Sequence, residues 1–205
     1  MPNNSLNFQE ISNLESEDAK QLLRAKVRKI RKNRSERELA ESGKQWIETA
    51  LEYVRDYSKV AAFISIPGEP PTYELCKAIA DSGKTLLLPK LGPGLTRAWG
   101  YFKGLDDLQQ MAPGRPPEPS GAAFDNDVLG DIDVMLVPAL LVSKFGERLG
   151  QGGGWYDRAL KKVKPGLPIG ALVFPEEFVD FHLPQDEYDM HIQNVILPNQ
   201  IIELF

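Results

Sequence analysis

Five glycines fall within nine residues in Gly146-Glu147-Arg148-Leu149-Gly150-Gln151-Gly152-Gly153-Gly154, and Trp155-Tyr156-Asp157-Arg158 follow directly. A run of this composition is costly in backbone entropy. Close approach of main-chain N–H groups to an anion where a helix begins offsets that cost, because unpaired donors and the helix dipole already favour negative charge there. Phosphate is the natural anion, and Arg148 adds a planar fork of donors suited to two phosphate oxygens. Asp157 sharpens the reading. A carboxylate beside a polyphosphate is repelled unless a divalent cation bridges them, and magnesium does so with one or two carboxylates plus phosphate oxygens. The segment therefore points to a magnesium nucleotide. The plainer alternative is a surface loop whose glycines satisfy awkward dihedrals and whose Asp157 favours the first helical turn.

Other phosphate motifs fit less well. Gly83-Lys84-Thr85 ends like a Walker A sequence, but Ala78 stands where its first glycine belongs, and the tripeptide leads from a helix into a strand. Gly150-x-Gly152 opens a dinucleotide fingerprint that Trp155 then breaks, although Glu176 lies at a plausible downstream distance. Zinc chemistry lacks ligands, since His182 and His191 are the only histidines and Cys76 the only cysteine. No G-x-S-x-G elbow is present for a serine hydrolase. A net charge of −5 gives no general attraction to nucleic acid or anionic lipid, so any anion site is local.

The elements that must position these residues alternate. Leu23, Val27 and Ile30 set an amphipathic helix over 17–32, decorated by Lys20, Arg24, Arg28 and Arg31. Ser35 and Glu38 have capping-box spacing, opening a second helix that ends near Asp56. Residues 59–66 read as a strand stopped by Pro67-Gly68-Glu69-Pro70-Pro71, and 72–81 as a helix. Strands follow at 85–88, ending at Pro89, and at 98–102. After the Pro/Gly-rich connection 112–121 come a buried strand at 132–137 and a long loop to Gly154. A helix at 155–163, a strand at 168–174 and a last strand at 194–197 complete the chain. Strands alternating with helices predict a largely parallel sheet with ligands beyond the carboxyl ends of its strands. With 205 residues, 42% of them hydrophobic, one domain over 17–205 is expected behind a polar tail of residues 1–16. No apolar run approaches the roughly 20 residues that span a bilayer, and the start lacks a signal-peptide pattern, so a cytoplasmic location is expected.

The stretch from Val137-Pro138 to Arg158 closely resembles the signature of 5-formyltetrahydrofolate cyclo-ligases, V-P-G-x-A-F-D-x-x-G-x-R-L-G-x-G-x-G-Y-Y-D-R. Lys20-x-x-x-Arg24, Pro67-Gly68-Glu69-Pro70-Pro71-Thr72 and Pro117-Glu118-Pro119 fall in the family's order, so the likeness covers about residues 20–198. The resemblance implies a single three-layer α-β-α domain with a largely parallel central sheet, of the NagB/RpiA/CoA-transferase-like kind. It also implies ATP- and Mg²⁺-dependent closure of 5-formyltetrahydrofolate to 5,10-methenyltetrahydrofolate. There the formyl oxygen is phosphorylated, N10 attacks the activated carbon and phosphate departs.

By position, Lys20 and Arg24 would hold ATP phosphates, with Arg148, Leu149, Gly150, Gln151, Gly152, Gly153, Gly154, Trp155 and Tyr156 as the cradle. Arg148 and Asp157 would be catalytic, and Asp157 and Asp189 would hold Mg²⁺. Ile64, Glu69, Gln151, Gly152, Gly153, Gly154 and Trp155 would face the folate, Glu69 bonding the polar edge of the pterin. Trp155 and Trp99 offer flat surfaces for a ring, though such residues are more often core. No membrane or nucleic-acid partner is expected, and a monomer is.

Four departures from the signature stand out. The F-D pair is Val142-Ser143, the first tyrosine of Y-Y-D is Trp155, the terminal H-D is Tyr188-Asp189, and the acidic residue after it is Gln193. Ser143 removes a charge expected near the nucleotide, and Tyr188 a proton carrier. These motivate an alternative, a non-catalytic folate- or RNA-binding relative. A phosphosugar-binding or acyl-transferring protein of similar architecture is a third, since fold alone does not choose chemistry.

Overall fold

The computed structural model describes residues 9, 11–92, 94, 96–111, 114–187 and 189–205. In chain order the helices are α1 (Ser16–Lys32), α2 (Glu36–Tyr53), α3 (Tyr73–Asp81) and α4 (Trp155–Leu160). The strands are β1 (Lys59–Ala61), β2 (Thr85–Leu91), β3 (Arg97–Tyr101), β4 (Leu108–Gln109), β5 (Glu118–Pro119), β6 (Val134–Pro138), β7 (Leu141–Ser143), β8 (Arg148–Leu149), β9 (Ile169–Leu172), β10 (Phe178–Val179), β11 (Asn194–Leu197) and β12 (Gln200–Glu203).

The main sheet has the order β12-β11-β9-β6-β1-β2-β3. Its five inner strands run parallel, and only the edge pairs β2–β3 and β11–β12 are antiparallel. Alternation along each strand builds two cores. Val60, Leu86, Leu88, Val134 and Leu136 face Trp46 and Ala50 of α2 and Leu75 and Ile79 of α3. Ala61, Leu87, Met135, Val137 and Ala171 face the other way, toward Ala159 and Leu160 of α4 and the segment with Leu129 and Ile132. These are the three layers expected. The Trp46 indole N–H donates to the Ile196 carbonyl at 3.0 Å, which ties α2 to β11.

The order of strand addition reverses between β1 and β6, which run parallel: from β1 the chain passes through α3 to β2 on one side and later reaches β6 on the other. Such a switch point opens a crevice at the carboxyl ends of the strands. α1 stands apart from the main sheet. Its Ala19, Leu23 and Val27 pack on Leu140, Leu141, Leu149, Val179 and Leu183, beside the small sheet β10-β7-β8. That packing carries the basic face of α1 over the glycine loop.

Several sequence expectations are corrected. The strand expected over 59–66 pairs only through Lys59–Ala61. β2 continues through Pro89 to Leu91. Pro89 faces Trp99, whose amide exchanges bonds with Phe124 instead, so the missing N–H of Pro89 lies on the side where β1 has already ended. The loop expected before Gly154 contains the hairpin β7–β8. α4 stops at Leu160 rather than 163, since Lys164 precedes Pro165 and is biased away from helix. β11 is not last: Pro198-Asn199 turns the chain into β12, with Leu197 opposite Gln200.

Candidate active site

The hairpin β7–β8 delivers Arg148 beneath the glycine loop. Its Nη2 lies 2.5 Å from Oδ1 of Asp157 on the first turn of α4, and its Nη1 lies 3.3 Å from the Pro138 carbonyl at the end of β6. Its Nε is buried and has no partner among the described residues. Arg24 donates from Nε to the Gly150 carbonyl at 3.1 Å, and Arg97 and Arg158 both donate to the Gly153 carbonyl, at 2.6 and 2.8 Å. Three cations thus hold loop carbonyls by charge-assisted bonds. Glycine is required twice over. A Cβ on Gly150 would stand 2.8 Å from Arg148 Nη1, and Gly152 has φ +96° with Arg24 Cζ 3.3 Å from any added Cβ.

A polar cavity of about 400 Å³ lies between this loop and α1. It gathers Lys20, Arg24, Arg148, Leu149, Gly150, Gly152, Gly154, Asp157 and Asp189, all named from sequence as nucleotide or metal residues. Glu17, Arg158, Lys161 and Asp186 also line it; Arg158 is the last residue of the signature, and the other three had no signal beyond membership of charged helix turns or loops. Lys20 is buried, with its ammonium 2.7 Å from Asp186 and 2.5 Å from Asp189. Burial alone would lower its pKa, but the two aspartate bonds outweigh that and raise it above the ordinary 10.5. Asp186 is held below the ordinary carboxylate value chiefly by its bond to Lys20. Asp189 also accepts the Asp186 amide at 2.9 Å.

An apolar cleft of about 250 Å³ lies beyond the ends of β1, β2 and β6, lined by Ile64, Glu69, Gln151 and Trp155, four of the residues expected to face the folate, and by Tyr156, expected on the nucleotide side. Phe63, Lys90, Arg115 and Pro117 join them. Leu91 donates its amide to Glu118 at 3.0 Å, and Lys90 donates to the Pro119 carbonyl at 2.7 Å, so the Pro117-Glu118-Pro119 landmark braces this wall. Glu69 sits on a loop pinched at its base: Thr72 donates Oγ1 to the Phe63 carbonyl at 2.7 Å and accepts the Ser65 amide at 2.8 Å. The Glu69 carboxylate accepts the Ile66 amide at 3.0 Å and the Gln151 side-chain amide at 3.1 Å. Burial and the nearby Glu69 charge push the Tyr156 phenol well above its ordinary value. Between the two spaces, a cavity of about 130 Å³ is walled by Glu69, Arg148, Gly150, Gln151, Gly152, Gly153, Gly154, Trp155, Tyr156 and Asp157. Trp99, by contrast, is fully buried in the core and bonds Asn126.

Of the departures, Trp155 lines the apolar and middle cavities, whereas Val142, Ser143 and Gln193 line none of the three. Ser143 is buried in the hairpin and donates to Glu147 at 2.7 Å. The charge absent at 143 stands at Glu147, which also meets His182 Nδ1 at 2.7 Å and the Leu183 amide at 2.8 Å. Burial would raise the Glu147 pKa, yet these bonds hold it below the ordinary 4.5. Gln193 accepts the Ile169 amide at 3.2 Å on the main sheet. Tyr188 lies outside the described residues.

For a metal, no group of three or more His, Cys, Asp or Glu residues converges among the described residues. A self-sufficient protein cage is therefore not built there. An ion brought by a nucleotide needs only one or two carboxylates besides phosphate oxygens, and Asp157, with Oδ1 on Arg148, fits that lesser demand.

A parallel-sheet crevice joining an apolar cleft to a cation-lined pocket is the architecture of an α/β ligand-binding enzyme. The chain belongs to the 5-formyltetrahydrofolate cyclo-ligase family, which it matches over residues 16–198, and it is a cyclo-ligase. The 5-formyltetrahydrofolate cyclo-ligase of Mycolicibacterium smegmatis is 31% identical over 147 residues, covering 69% of this chain and 74% of that protein. The Escherichia coli K12 enzyme of the same name is 30% identical, covering 70% and 80%. The structure of Aquifex aeolicus 5,10-methenyltetrahydrofolate synthetase superposes with a TM-score of 0.75 at 28% identity, over 90% of this chain and 92% of that one. Among the described residues no helix is long and apolar enough to cross a membrane.

Proposed function

We propose that the chain converts 5-formyltetrahydrofolate to 5,10-methenyltetrahydrofolate at the expense of ATP, releasing ADP and phosphate. The observation that carries this reading is the continuity of the three cavities. Glu69, Gln151, Trp155 and Tyr156 are common to the apolar cleft and the middle cavity, while Arg148, Gly150, Gly152, Gly154 and Asp157 are common to the middle and polar cavities. A pterin in the first and a triphosphate in the last meet where formyl oxygen and γ-phosphate must react.

A formamide oxygen is a poor leaving group, and its phosphate ester a good one. The protein's part is positioning and charge neutralisation. Lys20 and Arg24 hold phosphates from α1, and the amides of residues 150–156 line the opposite side. Arg148 lies on the path of the transferring group and is oriented by Asp157. A bound Mg²⁺ supplies further neutralisation of phosphate charge, with Asp157 as its carboxylate and Asp189 a second acidic group in the same cavity. Glu69, fixed by Ile66 and Gln151, receives the pterin N–H edge. A monomer of one domain, residues 17–205, carries every residue named for this reaction.

The test is a rise in near-ultraviolet absorbance from the methenyl product when protein, 5-formyltetrahydrofolate, ATP and Mg²⁺ are mixed. No rise is expected when ATP is omitted. A flat trace with folded protein and all components rejects the proposal.

A further inference from the structure

Two carboxylates of the polar cavity, Glu17 and Asp186, take no part in the reaction proposed above, yet they stand against the two α1 cations assigned to phosphates. Lys20 Nζ lies 2.7 Å from Asp186, whose other oxygen accepts the Ser16 hydroxyl at 3.1 Å. Arg24 Nη1 lies 3.1 Å from Glu17 Oε1, which also accepts the Gln21 side-chain amide at 3.2 Å. The two sides of each pair differ in burial. The Lys20 and Arg24 side chains are 5% and 14% exposed, those of Asp186 and Glu17 53% and 61%. The cations are thus fixed in the wall. The carboxylates sit at the mouth, on pairs that water and salt weaken, so they leave at small cost. Asp157 and Asp189 lie deeper.

Charge decides what such a mouth admits. The described lining has five cationic and four anionic side chains, a surplus of a single positive charge. A metal-free triphosphate carries twice the negative charge of its magnesium complex, and it repels both carboxylates as it displaces them from Lys20 and Arg24. With magnesium bound, the nucleotide presents a cation that carboxylates attract, and that repulsion is largely cancelled. We propose that Glu17 and Asp186 form a carboxylate gate that selects the magnesium complex of the nucleotide over the metal-free nucleotide. The proposal rests on the function proposed above, whose nucleotide site it deepens.

The experiment titrates ATP by calorimetry, with no folate present, into wild type, Asp186→Asn, Glu17→Gln and the double variant, once in EDTA and once in excess Mg²⁺. Wild type is expected to bind the magnesium complex more tightly. Each single variant should tighten binding of metal-free ATP about threefold and the double variant about tenfold, the scale of removing exposed like charges, while binding of the magnesium complex changes less than about twofold. Glu48→Gln removes an exposed carboxylate from α2 instead; it controls for net charge and should change neither. Equal binding of the two forms by wild type, unaltered metal-free affinity in the double variant, or equal tightening of both forms overturns the gate. Methenyl formation by wild type in those cases leaves the proposed function standing. A flat absorbance trace from folded wild type with 5-formyltetrahydrofolate, ATP and Mg²⁺ overturns the function and the gate together.

Discussion

Arg148 and Asp157, nine residues apart on a strand and a helix, face each other across the glycine loop with nitrogen and oxygen 2.5 Å apart. The loop between them is closed by this pair at its base and by Arg24 above, so the backbone that would meet phosphate is shaped before any ligand arrives.

Asp157→Asn keeps the shape and removes the charge. Turnover is expected to fall about a hundredfold or more, the scale seen when one charge-stabilising group is lost. Folate binding by calorimetry should change less than about threefold. Comparable losses in both measurements would contradict the assignment.

Lys20→Ala removes a cation that Asp186 and Asp189 keep protonated. KM for ATP is expected to rise about tenfold or more, because two aspartates are left facing the phosphates. KM for the folate should move little. Initial rates with each substrate varied in turn check this.

Gly152→Ala places a side chain at φ +96° against Arg24. The left-handed strain is about 1–2 kcal/mol, and the loop is expected to relieve it by moving away from Arg24. Weaker ATP binding with an almost unchanged unfolding midpoint is the expected result. Unchanged ATP affinity would show that the loop conformation is not used.

Arg31→Met takes from fully buried Glu177 its bidentate guanidinium partner and leaves it the Phe174 amide at 3.0 Å and the Arg34 guanidinium at 3.8 Å. Breaking one side of such a pair costs about 3–5 kcal/mol. Denaturant unfolding should show that loss, and Arg31→Met/Glu177→Leu should recover most of it, since an apolar pair removes the stranded charge.

The Glu147 carboxylate, lowered below 4.5 by His182, Ser143 and the Leu183 amide, gives a pH dependence of definite sign. A depressed carboxylate contributes stability that is present above its unfolded value and is lost as pH falls through the folded one. Unfolding midpoints should therefore drop on acidification below about pH 4.5, and less steeply in Glu147→Gln. An equal slope in both proteins would remove Glu147 from the account.

The residues that line the candidate site were legible because their spacing is local. The spacing of Arg148, the glycines and Asp157 is itself the loop, and the 3.6-residue stripe of α1 places Lys20 and Arg24 on one face wherever the helix docks. The hairpin β7–β8 was not legible, since Leu140, Leu141 and Val142 run on as apolar residues and the pairing of Val142 with Arg148 is made across a turn. β12 had a signal, Pro198-Asn199 before Ile201 and Ile202, that a search for crossovers passes over. Pro89 looked like a strand end because a proline breaks a ladder only where a neighbour needs its N–H, and sequence does not say where β1 stops.

Residue types and short spacings thus determined the glycine-rich make-up of the loop proposed to meet phosphate, the alternation of strands and helices, and the cations available to it. Tertiary structure decided the rest. It set which sheet end the loop crowns, that α1 rides on the small sheet rather than the large one, and that Glu69 and Gln151 meet although 82 residues separate them. The physical reason is range. Periodicity and turn chemistry act over a few residues, whereas the cavities exist only after burial of two apolar faces has fixed which distant segments become neighbours.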